Sequence, residues 1–265
     1  VSDTIRLFVG VGANNEDLEA QAVLEHSART HCSMPLEIAW MQQSAKGPWS
    51  GWNSGSWRTP FTGFRWGIPS VCDYRGRAIY TDGDFFFVAD LAELWRQPIR
   101  RCALVRNHTG KLSTSCILFD CEKAKAYIPS LDELRKMPDA HGRMLNYFRE
   151  HQGILEPFVG NWDCPDLSGS SLDDPDLKAV HYTRIETQLH LKHAIPRLAA
   201  EGRAHWYRGE VRSHWKPELQ ERFDAELAAA AAAGYTVDRY RVTPFDGATR
   251  KDFRYKAHKG RSVQS

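Results

Sequence analysis

The sequence has almost no net charge, no paired cysteine motif, no apolar run of bilayer length and no internal repeat. Each absence excludes something. A formal net charge of +2 on 265 residues gives no global electrostatic case for nucleic acid. The six cysteines are scattered at Cys32, Cys72, Cys102, Cys116, Cys121 and Cys164. None forms a Cys-x-x-Cys pair, which argues against a structural zinc site. Most flank apolar runs, so buried free thiols in a reducing cytoplasm are expected. No stretch approaches the roughly 20 apolar residues a spanning helix needs, and no basic-then-apolar leader opens the chain. The Asn107-His108-Thr109 sequon would matter only in a secreted protein.

What is present suits one large domain with a buried core, or one domain plus a small appendage. Ile5 to Val11 reads as a buried strand ending in glycine, and Asn14-Asn15-Glu16 opens a helix to about Arg29, with Asn15 as its cap. Pro35 to Met41 is a second strand. The β-α-β opening predicts a largely parallel sheet covered by helices. Residues 42–58 form a long Gly-, Ser- and Trp-rich loop. Its tryptophans, with Trp66 beyond it, suit either sugar-stacking rings or plugs beneath the loop. Thr59-Pro60 marks a helix start carrying Phe61, Phe64, Arg65 and Trp66.

Gly76 to Thr81 is an apolar strand that runs into Asp82-Gly83-Asp84. Gly83 lets the backbone turn tightly, so the two carboxylates can share one small space. Carboxylates that close repel unless a cation lies between them. Hard oxygen ligands suit Mg²⁺ or Mn²⁺, and a metal at a strand end is well placed to hold a diphosphate. A calcium loop is a poor alternative. It needs further oxygen ligands at alternate positions, and here Phe85-Phe86-Phe87 follow. Asp90-Leu91-Ala92-Glu93 is a capping pattern, so Asp90 reads as a helix cap and not as a third ligand. Strands are expected at 102–106 and 115–119, joined by a turn at Thr109-Gly110. A late strand is expected at Lys178 to Tyr182. Helices are expected at 131–136, 142–151, 188–200 and 217–233.

Several of these segments, in order, are similar to the retaining glycosyltransferases grouped with glycogenin and bacterial lipopolysaccharide galactosyl- and glucosyltransferases (family 8, GT-A fold). They are Phe8-Val9-Gly10-Val11-Gly12-Ala13-Asn14, Thr59 to Arg65, Arg77 to Asp84, Asp90 to Trp95, Ser113 to Asp120 and Val180-His181-Tyr182. The resemblance spans about Ile5 to Tyr182. It implies an α/β GT-A (Rossmann-like) fold: a mixed, mainly parallel sheet flanked by helices. Residues 1–212 would form that domain, and 213–265 a helical extension with a basic tail.

The resemblance also implies site roles. Asp82 and Asp84 would hold a divalent cation, with His181 as third ligand, which tilts the metal towards Mn²⁺ over Mg²⁺. Val9, Gly10, Val11, Gly12 and Asn14 would face the nucleoside of a nucleotide diphosphate sugar. Gly83 would lie beside the diphosphate, Arg65 near the phosphates or sugar, and Ser113 to Ser115 against the donor sugar. The family's diphosphate-gripping lysine is Thr187 here, with Arg184 or Lys192 as substitutes. Asp163 and Gln152 are the candidates for the sugar or acceptor side. The implied activity is metal-dependent transfer from a UDP-type sugar to a glycan or lipid-linked acceptor, with retention, on the cytoplasmic side, in bacterial surface polysaccharide assembly. The basic tail Arg250 to Arg261 suits peripheral contact with the inner membrane, or simple solvation. A nucleotide-sugar pyrophosphatase and a non-catalytic binding protein on the same scaffold are the rivals.

Overall fold

The structure, a computed structural model, describes residues 4–108 and 111–245. The basic tail and the Thr109-Gly110 turn lie outside the described residues.

Strand β1 (Ile5–Gly10) leads through a polar turn into helix α1 (Leu18–His31) and strand β2 (Leu36–Met41). A 3₁₀ turn at Phe64–Gly67 continues into the short helix α2 (Ile68–Val71). Strands β3 (Arg77–Asp82) and β4 (Phe85–Phe87) then flank Gly83-Asp84. Helix α3 (Leu91–Trp95) precedes the antiparallel pair β5 (Ala103–His108) and β6 (Lys111–Asp120). Helices α4 (Cys121–Ala124), α5 (Leu131–Lys136) and α6 (Ala140–Glu150) lead to strands β7 (Leu155–Pro157), β8 (Cys164–Pro165) and β9 (Ala179–His181). Helices α7 (Leu191–Ala200) and α8 (Pro217–Ala232) follow, and a 3₁₀ turn at Val237–Tyr240 comes after them.

The main sheet has the order β2-β1-β3-β6-β5-β7. Three of its five pairings are parallel and two antiparallel, so the sheet is mixed and mainly parallel. Its strands read as near-continuous apolar runs because both faces are covered. One face packs the cluster of Ile5, Leu7, Val9, Ile79 and Leu118 against α1 and α3, while Phe8, Tyr80, Ile117 and Phe119 pack on the other. A smaller sheet, β4-β9-β8, sits at the carboxyl end of β3. Helix α8 lays Leu219 and Phe223 over this sheet, against Phe86, Val180 and Tyr182.

The tryptophans of the long loop are plugs. Trp49, Trp52 and Trp57 are all buried and surround Phe64 with ring centroids 5.2–5.4 Å away. A polar loop of this length holds its shape because these rings supply a satellite core. Asp90 caps α3, its side chain accepting from the Ala92 backbone N–H at 2.9 Å. All six cysteines are free, five of them buried and Cys32 half-buried. Asn15 is not a helix cap. It adopts φ 61°, and its amide exchanges two 2.9 Å hydrogen bonds with the Val242 backbone, so the helix starts later, at Leu18 after Asp17. An Asn side chain tolerates the left-handed region and here serves a long-range tie. Among the described residues no helix is long and apolar enough to cross a membrane.

Candidate active site

Strand β3 alternates its side chains, so Tyr80 and Asp82 share one face. The Tyr80 hydroxyl donates to Asp82 Oδ1, and the Arg65 guanidinium reaches the same oxygen at 2.7 Å. Burial keeps the Tyr80 phenol protonated far above its usual range, so it acts as a donor. Two residues on, Asp84 immediately precedes β4. The β4–β9 pairing is antiparallel and sets Phe85 opposite His181. That register delivers His181 from about a hundred residues away. Its ring stacks on Phe85 with centroids 4.4 Å apart, and its Nε2 lies 3.5 Å from Asp84 Oδ1.

Asp82, Asp84 and His181 each place a ligand atom within 4.8 Å of the others, and together they could hold a divalent ion. Asp84 Oδ1 is buried with no hydrogen-bond partner, while Asp84 Oδ2 accepts from Gln188 Nε2 at 2.5 Å. An orphaned carboxylate oxygen beside a second carboxylate and an imidazole is a donor set that fits a cation. Gly83 is needed for a reason other than a special φ. A Cβ there would stand 2.9 Å from the Gly10 carbonyl oxygen, because the Asp-Gly-Asp turn presses onto the end of β1.

The electrostatics follow from burial. Burial raises the Asp82 carboxyl above the usual range, Arg65 opposes this, and Asp84 reinforces it. Burial also opposes charge on His181. Asp84 on one ring nitrogen and Asp163 on the other outweigh it and hold the imidazolium well above the ordinary histidine range. Burial would raise Asp163 too, but His181 and the Ser113 hydroxyl bring it below the usual range.

The other expected site residues fall in different places. Asp163, with 0% exposure, accepts from the Ser113 hydroxyl at 2.5 Å and pairs with His181 Nδ1 at 2.8 Å. That contact fixes the imidazole's orientation, as an outer carboxylate commonly does for a metal-binding histidine. Arg65 lines the cavity but is already committed. Its Nε donates to the Thr62 carbonyl at 2.8 Å, its Nη1 reaches the Thr114 carbonyl, and its guanidinium lies 4.6 Å over the Tyr80 ring. Gln152 is exposed on the turn after α6, outside the cavity. Arg184 stacks over Trp215 at 4.4 Å, and Lys192 pairs with Asp224 at 2.6 Å; neither lines the cavity. Gly10 leaves room for the Phe61 ring, which would stand 2.6 Å from an added Cβ, and Gly12 leaves room for the Glu16 carboxylate at 2.4 Å. Val9 and Val11 belong to the core.

A cavity of about 400 Å³ opens over these groups. Ser113, Thr114, Ser115, Arg65 and the Asp-Gly-Asp turn line one part; Asp17, Gln188, His190 and Trp206 line another. His141 also lines it. Burial, then Arg65 and Arg149, lower its pKa to about 3, so the imidazole is neutral at physiological pH. Sequence reasoning missed Tyr80, Gln188, Asp17 and His190. Tyr80 was within reach of it, being two residues before Asp82 on a strand. The others carry no local signal.

Glu16 fills the turn after β1, where its carboxylate accepts from the Asn14 backbone N–H at 2.7 Å. Burial and the neighbouring Asp17 raise its pKa from 4.5 to about 7. The folded chain therefore holds a proton between those values that the unfolded chain has released. Stability falls as pH rises through that window and levels off above it, a difference of about 3 kcal/mol. Glu16→Gln is expected to melt higher than the parent at pH 8, with the gap closing towards pH 5. Parallel melting curves at both pH values would contradict this.

No family model matches the chain. Protein CDI of Arabidopsis thaliana is 29% identical over 206 residues, covering 68% of this chain and 77% of that protein. Among solved structures, the galactosyltransferase LgtC, in complex with donor and acceptor sugar analogs, aligns over 88% of this chain and 100% of its own, with TM-score 0.53 and 10% identity. The fold is GT-A. The glycosyltransferase GlyE of Streptococcus pneumoniae TIGR4, in its apo form, aligns over 88% of this chain with TM-score 0.52 and 13% identity. The present chain spans 64% of GlyE, less than two thirds of its length. In this GT-A domain the Asp-Gly-Asp turn sits at the carboxyl end of β3, where open α/β sheets place their ligands.

Proposed function

We propose that this chain is a metal-dependent, retaining glycosyltransferase of the family 8 kind, using a nucleotide diphosphate sugar, of which UDP-sugar is the first candidate. One observation carries the reading. On a GT-A fold, two neighbouring carboxylates and a distant imidazole converge on the wall of one cavity. Residues 1–212 form the transferase domain in this reading, and the acceptor is a glycan or lipid-linked hydroxyl.

Asp82, Asp84 and His181 would hold the cation, Mn²⁺ before Mg²⁺ because an imidazole joins the set. The chemistry supplied by the bound ion is neutralisation of the diphosphate as charge gathers on it, worth several kcal/mol. The chain does the rest. Arg65 and the Tyr80 hydroxyl hold Asp82 in one position before substrate arrives. Asp163 turns His181 so that Nε2 faces the two aspartates. Ser113, Thr114 and Ser115 line the sugar side, with the Ser113 hydroxyl held by Asp163, and the neutral His141 offers a hydrogen-bonding partner there. The cavity's two other carboxylates are engaged by backbone: Asp17 accepts from the Gly12 N–H at 2.6 Å, and Asp139 caps α6 by accepting from the Gly142 N–H at 3.2 Å. Same-face attack therefore fits, with the departing phosphate taking the acceptor's proton.

The test is calorimetric titration with Mn²⁺ and UDP, followed by product analysis. UDP is expected to bind only with the cation, and turnover to release UDP and not UMP. The titration carries a pH signature. His181 is held as an imidazolium in the metal-free chain, and a ligating imidazole must be neutral. Cation binding therefore expels a proton, and affinity rises with pH, about tenfold per unit below the His181 pKa. Binding heats that do not change between buffers of different ionisation enthalpy would count against His181 as a ligand.

A further inference from the structure

The cavity has a polar wall that the diaspartate chemistry leaves unused. Asp17 enters it from the start of α1; Gln188, His190 and Trp206 enter from the segment after β9. Gln188 Oε1, both ring nitrogens of His190 and the Trp206 indole N–H are all buried without a hydrogen-bond partner. His190 is only 2% exposed, and its Nε2 lies 3.5 Å from Asp17 Oδ1. That is well beyond the length of a charge-assisted hydrogen bond. Native proteins rarely leave buried polar atoms unpaired, so four on one wall point to a ligand that completes them.

Two ligand classes can be set aside. Asp17, His190 and His205 lie close enough together to suggest a second metal. His205 Nδ1, however, accepts the Tyr207 backbone N–H at 3.0 Å, which leaves the ring proton on Nε2. Nε2 is the nitrogen that faces Asp17, at 3.3 Å. It acts as a donor and has no lone pair for a cation. Phosphate fails on charge. Burial disfavours an ionised Asp17, but His190 and His205 outweigh it and hold the carboxyl well below its usual range. The Gly12 N–H also donates to Asp17 Oδ2 at 2.6 Å. A fixed buried anion repels diphosphate oxygens.

What remains is a neutral group that carries both donors and acceptors. The indole offers a donor, and the His190 ring offers two nitrogens with hydrogen-bonding capacity. The Gln188 amide nitrogen faces Asp84, because a carboxylate only accepts; its oxygen is therefore the free end. We infer that this wall receives the nucleoside end of the donor, with His190 and Trp206 reading the base edge or ribose hydroxyls. The inference rests on the glycosyltransferase reading. It places nucleoside recognition on the segment that follows His181, whereas Gly10 and Gly12 pack closely against Phe61 and Glu16.

The experiment is calorimetry on the full chain in Mn²⁺, titrating UDP, CDP, GDP, ADP and inorganic pyrophosphate. In the parent protein at least one nucleoside diphosphate is expected to bind about tenfold or more tighter than pyrophosphate, the scale of one or two well-made hydrogen bonds. His190→Ala should bring that nucleotide to within about threefold of pyrophosphate while leaving pyrophosphate itself unchanged. Trp206→Phe keeps the ring, removes only the N–H and should reduce the same ratio, and it serves if His190→Ala does not fold. A parent that binds pyrophosphate but no nucleotide more tightly overturns this inference alone. So does an unchanged ratio in both variants. A parent that binds neither ligand in the presence of Mn²⁺ overturns the transferase reading and this inference with it.

Discussion

Asp84→Asn is expected to abolish Mn²⁺-dependent nucleotide binding and to cut turnover by about a thousandfold or more, while the chain stays folded. A thousandfold corresponds to about 4 kcal/mol of lost leaving-group stabilisation, the order a cation supplies. The fold should survive for a local reason. Asp84 Oδ1 has no hydrogen-bond partner in the metal-free protein, and Oδ2 accepts one bond from Gln188. An asparagine oxygen can take that bond, and the change also removes one of two mutually repelling carboxylates. Calorimetry, a turnover assay and a melting curve measure the three parts. A variant with full turnover would remove the cation from the mechanism.

The second large effect is on stability. Arg65→Met should destabilise the metal-free protein by about 3–5 kcal/mol, the usual cost of removing one partner from a buried ion pair. Arg65 is 5% exposed, and it ties Asp82 to the Thr62 and Thr114 carbonyls across the floor of the cavity. Its loss strands a buried carboxylate and two carbonyl oxygens. If Asp82 is a metal ligand, saturating Mn²⁺ should recover part of that loss, because the cation neutralises the stranded charge and binds only the folded chain. Thermal melts of parent and variant, with and without Mn²⁺, make the comparison. An equal deficit in both conditions would mean that Asp82 and the cation do not meet.

The chemistry on a single strand was readable from local pattern. An apolar run ending in Asp82-Gly83-Asp84 announces where β3 stops and which two carboxylates it exposes, since strand side chains alternate and Gly admits a close approach. The capping pattern at Asp90 and the β-α-β opening were legible for the same reason: they depend on neighbours within a few residues. The resemblance extended this to His181, and the β4–β9 register shows what delivers it. Other surroundings were not legible, because what packs beside a residue depends on the folded chain. Gly10 and Gly12 look like a nucleoside-facing turn, and in the fold the Phe61 ring and the Glu16 carboxylate pack where their side chains would stand. Arg184 and Lys192 look free, but Trp215 and Asp224 hold them away from the cavity.

The amino-acid order alone determined the alternation of strands and helices, the buried apolar strands and the paired acids at a strand end. These follow from hydrophobic periodicity and backbone preference, which act over short range. Tertiary structure decided the rest: that Asp163 orients His181, that Arg65 secures Asp82, and that Asp17, Gln188, His190 and Trp206 share a wall. Asp163 and His181 lie 18 residues apart, Arg65 and Asp82 17, and Asp17 lies at least 171 residues from the others on its wall. What unites them is sheet register and core packing, and both are properties of the whole folded chain.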